Sequence, residues 1–111
     1  MINKISEPES ERLEFKSATH GKLPENIWKS ISAFSNTDGG GILLGVNDDG
    51  EEIGLSIKEL DTLQKDFVNL CNTGFNHRIV PVISVKDNHV LAIINPLPAI
   101  MRPLYSKKRG I

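Results

Sequence analysis

The sequence predicts an α+β domain: a mixed β-sheet with two helices packed on one face, in the order β-α-β-β-α-β-β. Three observations carry this. Two segments repeat apolar residues at helical spacing, one through Ile27, Trp28, Ile31 and Phe34 and one through Ile57, Leu60, Leu63, Phe67 and Leu70. Between and around them run shorter segments that alternate polar and apolar residues or are apolar throughout, as strands do. Two turns with hairpin chemistry, Asn47-Asp48-Asp49-Gly50 and Asp87-Asn88, join strands to their neighbours. At 111 residues the chain is one domain.

Taken in order, Arg12-Leu13-Glu14-Phe15-Lys16 alternates and reads as a half-buried strand. Leu13 and Phe15 are expected to face the core, with Arg12, Glu14 and Lys16 on the other face. Ser17 to Leu23 is a loop, and Pro24 suits a first helical position. The first helix ends at Asn36, where a run of glycines begins. Ile42 to Val46 is nearly all apolar, as in a central strand covered on both faces. Glu52-Ile53-Gly54 is expected to return as a short strand. Ser56 and Glu59 form a capping box at the start of the second helix, which Asn72-Thr73-Gly74 ends. Val80 to Lys86 and His89 to Ile94 make the last two strands, before Asn95-Pro96-Leu97-Pro98 breaks the pattern.

Gly39, Gly40, Gly41 and Gly45 crowd one helix-to-strand junction. They predict either close packing or a surface that another molecule touches. They do not form a dinucleotide fingerprint, which follows a strand and opens a helix, nor a P-loop, since no lysine lies between Lys29 and Lys58. No apolar run approaches the roughly 18 residues of a membrane span, and the first residues lack the apolar region of a signal peptide. One cysteine, Cys71, cannot form an internal disulfide, which fits a cytoplasmic, reducing compartment. Cys71 lies on the second helical pattern and is expected to be buried.

The net charge of −1 conceals segregation. Residues 1–37 balance five acids against five bases, residues 38–66 carry eight acids and two bases, and residues 67–111 carry one acid and six bases. The basic third suggests contact with a polyanion. The candidate nucleic-acid-binding residues are Arg12, Lys16, Arg78, Arg102, Lys107, Lys108 and Arg109. Trp28, on the helical stripe, is read as core rather than as a base-stacking platform. The three histidines have no metal-ligand spacing. Glu9 and Glu14 lie just before and within the first predicted strand, and Asp48 and Asp49 at the end of the central one; if the two strands are neighbours, convergent carboxylates could hold Mg²⁺ or Mn²⁺ and Lys16 a phosphate. Solvent-exposed turn acids and a surface Glu14–Lys16 pair account for the same spacing.

Four stretches together resemble one family. Glu9-Ser10-Glu11-Arg12-Leu13-Glu14-Phe15-Lys16 resembles the opening signature of the Schlafen AlbA_2 domain. Ile31 to Gly40 is similar to its A-F-x-N-T-x-G-G segment. Leu44 to Gly50, followed by Ile53-Gly54, is similar to its G-V-x-D-x-G strand and hairpin. Pro98 and Arg102-Pro103-Leu104-Tyr105 resemble its distal Pro/Arg-Pro-Tyr stretch. The resemblance covers nearly the whole chain. It implies a nucleic-acid-binding domain, found in bacteria at the N-terminus of longer transcriptional regulators and RecG-like helicase-related proteins. Related domains of animal Schlafen proteins cleave RNA with a carboxylate triad and a divalent metal, which by motif falls on Glu9, Glu14 and Asp48. Those proteins pair two lobes and carry a zinc site. This chain has one lobe and one cysteine, so a zinc site of that type is not expected.

The leading reading is therefore a DNA- or RNA-binding module of a transcriptional regulator, needing no cofactor, with further domains after Ile111 in a longer protein. A Mg- or Mn-dependent ribonuclease using Glu9, Glu14 and Asp48 is the second reading. A protein-interaction module, a homodimer built on the Gly-rich strand, is the third. No membrane partner is expected.

Overall fold

The computed structural model describes residues 12–108. Within them the elements run β1 (Leu13–Lys16), α1 (Ile27–Ser35), β2 (Gly40–Leu44), α2 (Ile57–Thr73), β3 (Val82–Lys86) and β4 (His89–Ile94), with short 3-10 turns at Thr19–Gly21 and Ala99–Met101. The strands form one sheet in the order β1-β2-β4-β3. β1 and β2 are parallel and joined across α1, whereas β2–β4 and β4–β3 are antiparallel. This is the mixed α+β sheet with both helices on one face that the sequence predicts.

Register decides which residues meet the helices. Ile42, Leu44, Val90, Ala92 and Ile94 share one face, and they form the main core with Ile27, Ile31 and Phe34 of α1 and Leu60, Leu63, Phe67 and Cys71 of α2. The other face carries a second, smaller apolar cluster: Phe15, Leu43 and Val46, with Leu13 and Leu91 packed against it. Leu13 and Phe15 thus turn away from the helices, and Glu14 and Lys16 lie beside Ile42 and Leu44 on the helix side. The orientation differs from the expectation because both faces bury apolar residues. β1 sits at an edge, where α1 offers it the Ser30 hydroxyl in place of an apolar side chain.

The expected strand at Glu52-Ile53-Gly54 shrinks to a single bridge between Val46 and Glu52. The expected hairpin turn is present but tight: Asn47 N donates to the Glu51 carbonyl and Ile53 N to the Gly45 carbonyl, and the Asn47 side chain accepts from the backbone N–H groups of Asp49 and Glu51 as an Asx turn within it. Gly54, at φ +80°, turns the chain away from a ladder. The predicted capping box of α2 is present: Ser56 Oγ accepts from Glu59 N at 3.1 Å, and Glu59 Oε1 from Ser56 N at 2.9 Å. These bonds from the Ser56 backbone and side chain hold the Glu59 carboxyl below its ordinary pKa. Ile57, expected on the buried stripe, points outward in the first turn, and Cys71 completes the stripe instead.

The glycine cluster is explained by packing. Gly39 has φ +81°, and a Cβ there would lie 2.7 Å from the Ile94 carbonyl oxygen. At Gly40 a Cβ would enter the Phe34 ring at 2.5 Å. These residues let the end of α1 close directly onto the sheet. The strand they open, β2, is interior, with β1 on one edge and β4 on the other. It therefore has no free edge on which a second chain could pair, which removes the Gly-rich strand as a dimerisation edge.

Cys71 is fully buried, and burial pushes its thiol pKa up to about 12. The thiolate is the reactive form, so Cys71 is expected to resist a thiol-specific disulfide reagent in the native protein at pH 8. It should react promptly in denaturant. Rapid native-state labelling would show that α2 opens from the core.

Candidate nucleic-acid interface

The basic candidates among the described residues fall into three places. Arg12 and Arg102 meet at the turn between α1 and β2. Arg12 Nη2 donates to the Asp38 carbonyl at 2.8 Å, and Arg102 Nη2 donates to the adjacent Thr37 carbonyl at 2.8 Å. Arg102 Nε also donates to the Leu97 carbonyl at 2.9 Å. Two guanidinium groups, 90 residues apart in sequence, thus grip consecutive carbonyls of one turn. A carbonyl satisfies a donor without cancelling its charge.

The segment after Arg102 is fixed by two asparagine side chains. Asn36 Nδ2 donates to the Leu104 carbonyl at 3.0 Å while its Oδ1 accepts from Leu104 N at 2.7 Å. Asn76 bonds the residues on either side of Leu104, donating to the Pro103 carbonyl at 3.1 Å and accepting from Tyr105 N at 2.8 Å. Phe75 and Ser106 form a bridge, and Lys107 N donates to the Gly74 carbonyl. An otherwise irregular chain is therefore held against the C-terminal end of α2. This places Arg78, Lys107 and Lys108 at the same end of the molecule, all exposed. Among the described residues no carboxylate lies within ion-pair distance of Arg78, Arg102, Lys107 or Lys108. Arg109 lies outside the described residues.

Lys16 is elsewhere. It sits at the far end of β1 from Arg12, about 13 Å along the strand, and its Nζ is 3.8 Å from Glu14 Oε2. The same Glu14 oxygen accepts a 2.5 Å bond from Ser30 Oγ. Beyond the carboxyl ends of the parallel pair β1 and β2 opens a groove of about 470 Å³, whose polar lining is Lys16, Ser17, Thr19, Lys22, Asn26 and Asp48. Lys16 and Asp48 therefore border one groove, while Glu14 touches Lys16 but does not line the groove.

Of the expected carboxylate triad, Glu9 lies outside the described residues. Among the described residues no three of His, Cys, Asp and Glu come together as metal ligands. Mg²⁺ and Mn²⁺ want several hard oxygens around one point. Glu14, already bonded to Ser30 and Lys16, and Asp48 alone do not supply them.

Asn36, Asn76 and Lys22 are site residues that sequence reading misses. Asn36 reads as an ordinary helix stop and Asn76 carries no signal at all, since their partners lie 68 and 29 residues away. Lys22 belongs to a groove assembled from two separate loops. A further pairing, also invisible in sequence, is buried away from this surface: His89 Nδ1 lies 2.6 Å from Glu52 Oε2.

Among the described residues no helix is long and apolar enough to cross a membrane. Among solved structures, the fold is similar to the N-terminal domain of a RecG-related protein from Nitrosomonas europaea. That likeness has a TM-score of 0.62 and 22% identity over 90% of this chain and 71% of that one. The family model of Schlafen, AlbA_2 matches residues 9–110. With that match spanning almost the whole sequence, the four stretches and the fold that joins them have one explanation: this chain belongs to the Schlafen AlbA_2 family.

Proposed function

We propose that this domain binds the phosphate backbone of nucleic acid, as a regulatory module of a longer cytoplasmic protein acting in transcription. The observation that carries this is the set of exposed cations, Arg78, Lys107 and Lys108 at the C-terminal end of α2 and Arg102 at the α1–β2 turn, with no carboxylate partner among the described residues. Lysine and arginine side chains that neutralise phosphates release condensed counterions, and this term supplies nearly all non-specific affinity. The family and its RecG-related structural neighbour point the same way. No cofactor is needed for such binding.

The test is a salt titration with labelled duplex DNA and single-stranded RNA, read by fluorescence anisotropy. Affinity should fall linearly on a log–log plot. The combined change Arg78→Ala, Lys107→Ala and Lys108→Ala should flatten the slope by about 0.9 for each duplex phosphate that is no longer neutralised. Arg102 is left in place because it also holds Thr37 and Leu97. No binding to either polymer at low salt would refute the proposal, and the stronger partner identifies the nucleic acid.

The ribonuclease reading draws support from Lys16, which touches Glu14 and shares a groove with Asp48. It calls for Glu9 to complete the carboxylate set. Degradation of transfer RNA with Mn²⁺ by the unaltered chain, abolished in Glu14→Gln, would favour it over simple binding.

A further inference from the structure

β3 is an edge strand: among the described residues it pairs with β4 and with no other strand. Edges of this kind are templates for another chain, and proteins usually blunt them with charge, proline, bulges or cover. β3 has little of this. Pro81 stands just before it, Lys86 is its last residue, and its register with β4 runs unbroken from Val82 to Lys86. Val82 and Val85, on opposite faces, are 57% and 45% exposed. Apolar side chains therefore stand uncovered on both sides of an open backbone edge.

The register shows which backbone groups face outward. β3 and β4 are joined by the two-residue turn Asp87-Asn88, with Asp87 at φ +52°. The pair flanking such a turn, Lys86 and His89, exchanges hydrogen bonds, and bonded pairs then alternate along an antiparallel ladder. Ser84 and Val82 are thus bonded to β4 as well, opposite Leu91 and Ile93. The N–H and C=O groups of Ile83 and Val85 point the other way, off the sheet.

These outward groups complement themselves. We propose that β3 pairs antiparallel with β3 of a second copy of this chain, about a two-fold axis at Ser84, joining two four-stranded sheets into one of eight strands. Ile83 of one copy lies opposite Val85 of the other, and the reverse, so both outward donors and both outward acceptors of each copy are satisfied. The two Ser84 residues face each other as a non-hydrogen-bonded pair. The charges allow it: the two Lys86 residues fall at opposite ends of the paired strands, about 13 Å apart along the strand, beyond the screening length of about 10 Å at 0.1 M salt. Val82 and Val85 lose exposed apolar surface on both faces. Two five-residue strands make a small interface, so the dimer is a weak one.

Sedimentation of the full chain over a concentration series, on the order of 10 µM to 1 mM, is expected to show the mass moving from 12.3 kDa toward twice that value. Val85→Lys, which places a charge in the joint, should remain monomeric with an unchanged circular dichroism spectrum. Register is tested by cross-linking. In a non-hydrogen-bonded pair the Cα atoms are about 4.5 Å apart, within disulfide reach. Ser84→Cys should therefore form a disulfide-linked dimer under mild oxidation, whereas Lys86→Cys, opposite Val82 of the other copy, should not. Buried Cys71 does not compete. A monomer throughout the series, or a dimer whose Ser84→Cys variant cross-links no better than Lys86→Cys, overturns the proposal.

Discussion

Phe67→Ala is expected to leave a chain that is largely unfolded near body temperature. Phe67 has no exposed surface, and it lies in the middle of the α2 stripe, between Leu63 and Cys71, within the main core. Truncating a buried phenylalanine costs about 3–5 kcal/mol, from lost transfer energy and from a cavity that closes only in part. A domain of this size holds about 5–15 kcal/mol in all. With a Tm shift of about 4–8 °C for each kcal/mol in a domain of up to 100 residues, the midpoint should drop by ~15 °C or more. Thermal unfolding followed at 222 nm checks this. Phe67→Leu, which keeps most of the volume, should recover most of the loss. A midpoint unchanged by Phe67→Ala would mean that α2 packs on the sheet through another face.

The register of α2 behind that prediction was legible in the sequence, because two independent signals agree. The Ser56–Glu59 capping box marks where the helix begins, and Leu60, Leu63 and Phe67 then fall on one side. The central strand and the last hairpin were legible for a like reason, an apolar run or an alternation bounded by turn residues. What periodicity cannot supply is the side of the sheet that a strand's apolar face meets. Leu13 and Phe15 alternate with Glu14 and Lys16 whichever way β1 lies, and only pairing with β2 shows that the carboxylate faces α1. Ile57 misleads because a helix-first residue matches the stripe in sequence, yet it stands beyond the end of the packed surface.

The candidate site was legible in its charges and illegible in its architecture. That residues 67–111 are basic is a count. That Arg102 braces the α1–β2 turn, and that Asn36 and Asn76 seat the chain following it, depends on hydrogen bonds spanning 29 to 68 residues. Asparagine gives no warning of such a role, since its amide serves a local turn and a distant backbone equally well. Lys16 reads in sequence as one more member of the basic set. The fold separates it from Arg12 by the length of β1 and gives it to a different groove.

Glu52 and His89 carry no signal in the sequence, and their pairing yields a second large effect. Glu52, 3% exposed, accepts from Asn88 N at 2.7 Å with the same Oε2 that lies 2.6 Å from Nδ1 of His89, itself 5% exposed. Asn88 Nδ2 in turn donates to the Leu55 carbonyl. One carboxylate therefore ties the chain between β2 and α2 to the β3–β4 turn. Removing one member of a buried pair leaves its partner desolvated without compensation, at about 3–5 kcal/mol. Glu52→Ala should thus destabilise the domain about as much as Phe67→Ala, through polar rather than apolar loss. Glu52→Gln keeps an acceptor for Asn88 N and should cost less. The distinguishing measurement is a double-mutant cycle in urea at constant pH, with Glu52→Ala, His89→Ala and both together. If the two side chains act as a unit, His89→Ala costs markedly less once Glu52 is gone. Strictly additive losses would show that each side chain is held by its own surroundings and that the pairing between them contributes nothing.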